Sequence, residues 1–537
     1  MSLRDLLLGR PLASNEEGEQ RVGPVAGIPM LGLDALSSAA YGPEAAMTLL
    51  IPLGAAGLGY IGPISTIIII LLLIVFLSYR QTIAAYPAGG GSYTVARRNL
   101  GLFPGLLAAA ALLLDYVLVV AVGISAGVGA LVSAVPSLQP HTLLLCLGIL
   151  ALIALVNLRG VRESGVAFVL PTYLFVLCLF GVIGIGLFKT WLGHGHPAPE
   201  IAPPVALAAT TTAGWWIVVR AFASGCTAMT GVEAVSNGVT AFREPAVDNA
   251  KRTLSAIIGI LVVLLAGIAY LAVVYHIGAT EPGVAGYQSV LSQLVAAVVG
   301  TGPFYYVCIA SILIVLALSA NTGFADFPRL CRLIAQDGFL PRVFASRGRR
   351  LVYSLGIYVL TGLSALLLII FGGVTDRLIP LFAVGAFLAF TLSQAGMVGH
   401  WRASDDTGRT PAMLINGLGA LATGVTLVVV LVAKFAEGAW VMTLLIPALL
   451  AVFLMVARHY RAVAIEIANP STPIRGQAVS ARPSTGATMS AKGSTPIRRG
   501  TGLLDVAGSG GASTAKATAP VVPPAVTVTD CSASATR

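Results

Sequence analysis

Long apolar runs dominate the chain, and short polar stretches separate them at nearly regular intervals. A membrane-spanning helix needs roughly 20 mostly apolar residues. By that measure the pattern predicts twelve spans, near 24–53, 61–79, 104–133, 141–158, 164–188, 211–242, 253–277, 303–326, 352–372, 378–400, 411–433 and 438–457. Two stretches are too polar or too rich in small residues to span. Tyr86 to Gly101 reads as a cytoplasmic connector, and Gly286 to Gly300 as an amphipathic helix lying at the outer surface. The class is an all-α polytopic membrane protein.

Charge orients the bundle. One set of loops holds Arg80, Arg97, Arg98, Arg159, Arg162, Arg243, Lys251, Arg252, Arg329, Arg332, Arg342, Arg347, Arg349, Arg350, Arg402 and Arg409, whereas the opposite set holds little beyond Lys189, Arg377 and Lys434. Cytoplasmic loops accumulate Lys and Arg. An even number of spans then places both termini inside, in a plasma (inner) membrane. The net charge of +10 is therefore an orientation signal and implies no nucleic-acid partner. With 10% charged and 57% hydrophobic residues, the 537-residue chain lacks the charge to cover a water-facing surface. The bilayer is its natural partner. Residues 1–23 form a cytoplasmic segment without an apolar leader, 24–460 the membrane domain, and 461–537 a low-complexity tail. That tail is rich in Ser, Thr, Ala, Pro and Gly and is expected to be disordered and cytoplasmic. Six cysteines show no paired or metal-ligand spacing.

The apolar pattern fails informatively in two places. The first span contains Gly32-Leu33-Asp34-Ala35-Leu36-Ser37-Ser38-Ala39-Ala40-Tyr41-Gly42-Pro43-Glu44, and the sixth contains Ser224-Gly225-Cys226-Thr227-Ala228-Met229-Thr230-Gly231-Val232-Glu233-Ala234-Val235-Ser236-Asn237-Gly238. Glycine, proline and hydroxyl residues weaken a continuous helix. Interruptions in the first and sixth spans point to a transporter of two inverted repeats. The repeats would run over about 24–188 and 211–400, with two extra helices at about 411–457. Non-helical backbone is expected near Asp34 to Ser38 and near Cys226 to Gly231.

Ionisable residues inside spans are costly and mark function by default. Here they are Asp34, Glu44, Asp115, Arg220 and Glu233. A structural alternative pairs Glu44 or Glu233 with Arg220. Asp34 beside freed carbonyls and the Tyr41 hydroxyl makes an oxygen-rich site for an alkali cation. Glu233, flanked by Val232 and Ala234, is best suited to exchange a proton. Asp115 suits either role. No catalytic triad, metal-ligand cluster or phosphate loop supports an enzyme, a structural metal or a cofactor.

These motifs, with Tyr86-Pro87-Ala88-Gly89-Gly90-Gly91-Ser92-Tyr93 and Leu114-Asp115-Tyr116-Val117, resemble the amino acid–polyamine–organocation (APC) superfamily and, within it, the KimA-type potassium–proton symporters. The resemblance covers roughly 20–460. It implies a 5+5 inverted-repeat fold with broken first and sixth helices. It also implies potassium coordination by Asp34, Tyr41, Asp115 and Thr230, with Tyr116 bordering the site and Glu233 coupling to protons. The chain departs from that pattern at Val119 and Gly123, where Thr and Ser are expected, and at Phe382, where Tyr is expected. A larger, more apolar pocket would suit the alternative, a permease for amino acids or another small organic solute. Asp34 and Asp115 would repel a substrate carboxylate, which favours the cation. The tail offers no counterpart of the family's folded dimerisation and nucleotide-sensing domain, leaving a homodimer as a possible assembly.

Overall fold

The computed structural model describes residues 21–468 except 90, 160–164, 206–207, 213, 285, 347–351 and 406–407, and no side chains of 165–167. The expected disordered tail beyond 468 and the segment 1–20 lie outside the described residues. Among the described residues, ten helices are long and apolar enough to cross a membrane. The expected first and sixth spans are broken into shorter pieces, and adding them gives the twelve crossings that the sequence predicts. The fold is the expected all-helical one.

The first span is α1 (Pro24–Leu31) followed by α2 (Leu33–Thr48). The second is α3 (Ile61–Ala85), and the connector after it carries the short helix α4 (Ser92–Leu100). The third to fifth spans are α5 (Leu102–Ala134), α6 (Thr142–Leu158) and α7 (Gly165–Leu192). The sixth comprises α8 (Trp215–Gly225) and α9 (Ala234–Asn237), joined by irregular backbone. The seventh is α10 (Ala246–Val274). A short helix, α11 (Val290–Val299), precedes the eighth span, α12 (Pro303–Gln336). The last four are α13 (Ser354–Phe371), α14 (Thr375–Ala403), α15 (Arg409–Lys434) and α16 (Trp440–Ala468). The last helix thus carries the membrane domain eight residues into the region expected to be disordered tail.

Burial separates the scaffold from its shell. The most apolar stretch of α5 is 89% buried and that of α14 is 78% buried, against 22% for the fourth span and 28% for the ninth. The third and tenth spans are therefore the central helices, and the fourth and ninth face lipid. Small residues let α5 and α12 approach closely. A Cβ on Gly323 would lie 2.9 Å from the Tyr116 carbonyl oxygen, and one on Gly127 would lie 3.2 Å from that of Leu313.

Three expectations need correction. The first span breaks at Gly32, not between Asp34 and Ser38, which lie within α2. Gly32 has φ −110° and ψ 0°, and a Cβ there would sit 2.3 Å from Ile257 Cδ1 of α10. The break thus falls where the Ile257 side chain of α10 packs closely on the first span. The helix α11 does form where the sequence predicts one. However, eight of its ten residues are buried, so it packs into the protein instead of lying on the membrane surface. Finally, Arg220 pairs with neither Glu44 nor Glu233. Its Nε donates to Glu437 Oε1 at 2.8 Å, and Lys434 Nζ donates to the other oxygen of that carboxylate at 2.6 Å. Glu437 lies in the turn after α15, so this cluster ties the eleventh span to α8, the first half of the sixth.

Candidate functional site

The site is built where the two broken spans meet. After α8 the backbone tightens into a 3-10 turn, Cys226–Met229. It then turns extended at Thr230 (φ −67°, ψ 156°) and left-handed at Gly231 (φ 78°). An L side chain rarely adopts that φ, and a Cβ on Gly231 would sit 2.6 Å from Asp34 Oδ2 and 2.7 Å from the Ala35 nitrogen. Glycine therefore lets the broken strand of the sixth span lie directly on the Asp34 carboxylate. Two further contacts join the spans. Ser38 Oγ is 2.7 Å from both the Ala35 and the Ala228 carbonyl oxygens. Tyr41 OH is 3.2 Å from Thr230 Oγ1. Thr230 Oγ1 also donates to the Thr227 carbonyl at 3.1 Å. Its one proton is thus engaged, so Tyr41 is the donor in the Tyr41–Thr230 pair, and the tyrosine oxygen keeps lone pairs for a cation.

Asp115 enters from the central helix α5. It is fully buried, and neither of its carboxyl oxygens has a hydrogen-bond partner in the protein. Gly385 of α14 packs against it, where a Cβ would be 3.3 Å from Asp115 Cβ. Glu233, just before α9, is 3% exposed, and its Oε2 is likewise without a partner. Asp34, Asp115 and Glu233 lie close enough to interact electrostatically with one another. Three carboxyl groups gathered in a dry interior cannot all be charged without compensation. Among the described residues, no basic side chain supplies it in the contacts of these three groups. A bound cation and a bound proton are the two species that would.

The structure thus brings together Asp34, Tyr41, Thr230, Asp115 and Glu233. Tyr116 stands apart on the side of Glu233: its hydroxyl accepts from Asn237 Nδ2 at 3.2 Å. The departures from the resemblance also find a place. A Cβ on Gly123 would lie 2.7 Å from Ser319 Oγ and 3.0 Å from the Leu316 carbonyl oxygen, so α12 fills the space that a serine would take. Phe382 is fully buried, with its ring centroid 6.4 Å from that of Tyr41, and Val119 is 2% exposed. None of the three positions opens a larger pocket.

The site is closed on both sides. On one side, Glu44 accepts from Tyr287 OH at 2.7 Å and from the Val290 nitrogen at 3.1 Å, which ties the start of α11 to the first span. A narrow cavity of about 20 Å³, lined by Tyr41, Glu44, Tyr287, Ser289 and Asp376, lies behind that tie. It holds roughly one water. On the other side, Tyr93 of α4 donates to Asp337 beyond the end of α12, and Arg97 pairs with both. Burial, against the opposing Arg97 guanidinium, pushes the Tyr93 phenol up to about 12, so it stays a donor.

Sequence reasoning missed Asp326. It stands at the edge of the expected span 303–326, but α12 continues to Gln336, so Asp326 is a buried acid within the helix. The length of the following polar-apolar pattern, up to Ala335, was the signal that it belonged inside.

The family profile described as "Amino acid permease" matches residues 36–456. The chain belongs to this family of membrane transporters, and it is a multi-pass plasma-membrane protein and not an enzyme. It is 42% identical over 463 residues to the protein called potassium transporter KimA of Bacillus subtilis, covering 86% of this chain and 75% of the relative. Among solved structures, a manganese transporter of Eremococcus coleocola aligns with 86% of this chain and 99% of its own at 12% identity, with a TM-score of 0.39.

Proposed function

We propose that this protein imports potassium together with protons. Potassium would bind among Asp34, Tyr41, Asp115 and Thr230, and Glu233 would carry the coupled proton. The observation that carries this reading is the cluster of three buried carboxyl groups, two of them with unpartnered oxygens, at the meeting point of the two broken spans. It calls for bound positive charge, and an oxygen-lined cage replaces the hydration shell of an alkali cation. The 42% identity to the Bacillus potassium transporter supports the same ion.

The alternative substrate, an amino acid, fits less well. Its carboxylate would face Asp34 and Asp115, and the space around Gly123 and Phe382 is filled. The arginine-rich loops support placing both termini in the cytoplasm, so the Tyr93–Asp337–Arg97 network would close the cytoplasmic side. The test is growth of a potassium-uptake-deficient bacterium at low external potassium. The gene for this chain should restore growth. Failure to restore it, in cells that instead accumulate a labelled amino acid, would reverse the choice.

A further inference from the structure

The cation cage proposed above has one bare wall. An alkali cation leaving water must exchange its hydration shell for oxygen ligands. The central helix α5 supplies Asp115, but residues 117–124 of the same helix carry no side-chain oxygen. The hydroxyl of Tyr116 is turned to Asn237. At Gly123 the helix lacks even a Cβ, and α12 faces the gap.

Two oxygens of α12 occupy the space beside Gly123. A Cβ there would lie 2.7 Å from Ser319 Oγ and 3.0 Å from the Leu316 carbonyl oxygen. Ser319 is 1% exposed, and its Oγ donates to that same carbonyl at 2.8 Å. A hydroxyl has one proton and two lone pairs. The proton of Ser319 is engaged within its own helix, and its lone pairs remain to accept. Thr230 is arranged in the same way: its hydroxyl donates three residues back, to the Thr227 carbonyl, and its oxygen meets Tyr41.

The neighbours of Ser319 fix the height of this oxygen in the bundle. Leu316, one turn before it, lines the small cavity that Tyr41 also lines. Gly323, one turn after it, packs on α5 at the carbonyl of Tyr116, the residue next to Asp115. Residues three and four apart share a helix face. Ser319 therefore stands on the face of α12 that runs from the cavity beside Tyr41 to the turn of α5 that carries Asp115.

We propose that Ser319 is a further ligand of the transported cation, supplying from α12 the hydroxyl oxygen that α5 lacks at Gly123. The proposal rests on the reading of Asp34, Tyr41, Asp115 and Thr230 as a potassium site. Gly123 is then a specificity position: without a side chain there, the cation is approached by an oxygen of the eighth span instead of one of the third.

The test uses the purified full chain in proteoliposomes under a fixed pH gradient, with external potassium varied to separate KM from Vmax. Ser319→Ala removes only the oxygen. It should raise the KM for potassium about tenfold, the scale of one contact to a charged group, with Vmax within about twofold of the original. Ser319→Cys refills the space with sulfur, a soft atom and a poor ligand for a hard cation, so it should raise KM as alanine does. An original KM in S319A would overturn the proposal. So would an original KM in S319C beside a raised one in S319A, because volume and not oxygen would then be what the site needs. If S319A is not recovered folded, S319C decides: a raised KM supports the ligand, and an original KM overturns it. Asp115→Asn is measured alongside. If D115N transports potassium at the original rate, the potassium site itself fails. If D115N is inactive while the Ser319 variants keep the original KM, the role of Ser319 alone fails.

Discussion

The acids at one end of the bundle, the outer end in the proposed orientation, and those at its centre are differently partnered. Glu44 accepts from a tyrosine hydroxyl and a helix-terminal amide, and Glu437 accepts from Arg220 and Lys434. Every contact of these outer acids is made by the protein itself. Asp115 has no partner on either oxygen, and Glu233 lacks one on Oε2. A buried polar group left unsatisfied costs about 1–3 kcal/mol, and more when charged. The outer acids are thus complete as they stand and hold helices together. The central acids are complete only when something is bound. Under the proposed function, identical side chains in one membrane domain would serve as glue in one layer and as ligands in the other, and hydrogen-bond saturation distinguishes them.

The contrast can be broken most forcefully at the central pair. Asp115→Asn or Asp34→Asn keeps the shape and removes the charge that compensates a desolvated cation. Loss of one partner from a buried ionic contact costs about 3–5 kcal/mol. Potassium uptake should therefore fall by roughly two to four orders of magnitude, while the protein elutes normally in detergent. Uptake at the original rate in both variants would remove the cation from these carboxylates.

Next comes Glu233→Gln, which imitates the permanently protonated form. A ligand shifts a conformational equilibrium only through its differential affinity for the two states. A group that can no longer gain or lose a proton has no such difference. Accumulation against a potassium gradient should vanish, and potassium–rubidium exchange should persist.

Smaller effects are expected in the outer layer. Glu44→Gln retains one acceptor oxygen but turns the other into an NH₂ group, which cannot accept from the Val290 amide. Stability in detergent should fall by about 1 kcal/mol, the value of one hydrogen bond, with transport within about threefold of the original. A collapse like that of D115N would erase the distinction between the layers. The smallest change belongs to Arg220→Gln. The arginine and Glu437 side chains are 34% and 24% exposed, and Lys434 still pairs with the carboxylate. A loss below about 1 kcal/mol is expected in thermal unfolding.

Much of this division was legible in the sequence, and the exceptions have a common cause. The breaks in the first and sixth spans announce themselves because glycine, proline and hydroxyl residues interrupt otherwise apolar runs. The break at Gly32 was misplaced by a few residues, and the close approach of Ile257 beside it is a tertiary contact that periodicity does not show. The partner of Arg220 was invisible for the same reason, since Glu437 lies 217 positions away in the chain. Asp34, Asp115 and Glu233 stood out as lone acids in apolar helices. Asp326 did not, because it lies where the apolar pattern of α12 gives way to a polar one although the helix continues. The sequence also suggested a wider pocket at Gly123, whereas the space is taken by Ser319 from another span. Periodicity finds the elements and the isolated charges. Which neighbour fills a gap or completes a hydrogen bond is decided by segments far apart in the chain.

The central claim is that unpartnered acids at the broken spans bind potassium and a proton in one cycle. Its most direct test is simultaneous recording of both fluxes in proteoliposomes containing the purified chain. Rubidium tracer would report the cation and an internal pH dye the proton. With an inwardly directed proton gradient and equal potassium on both sides, rubidium should accumulate as the interior acidifies, and both signals should be lost in D115N. Acidification without rubidium entry, or rubidium entry that is indifferent to the proton gradient, would contradict the account.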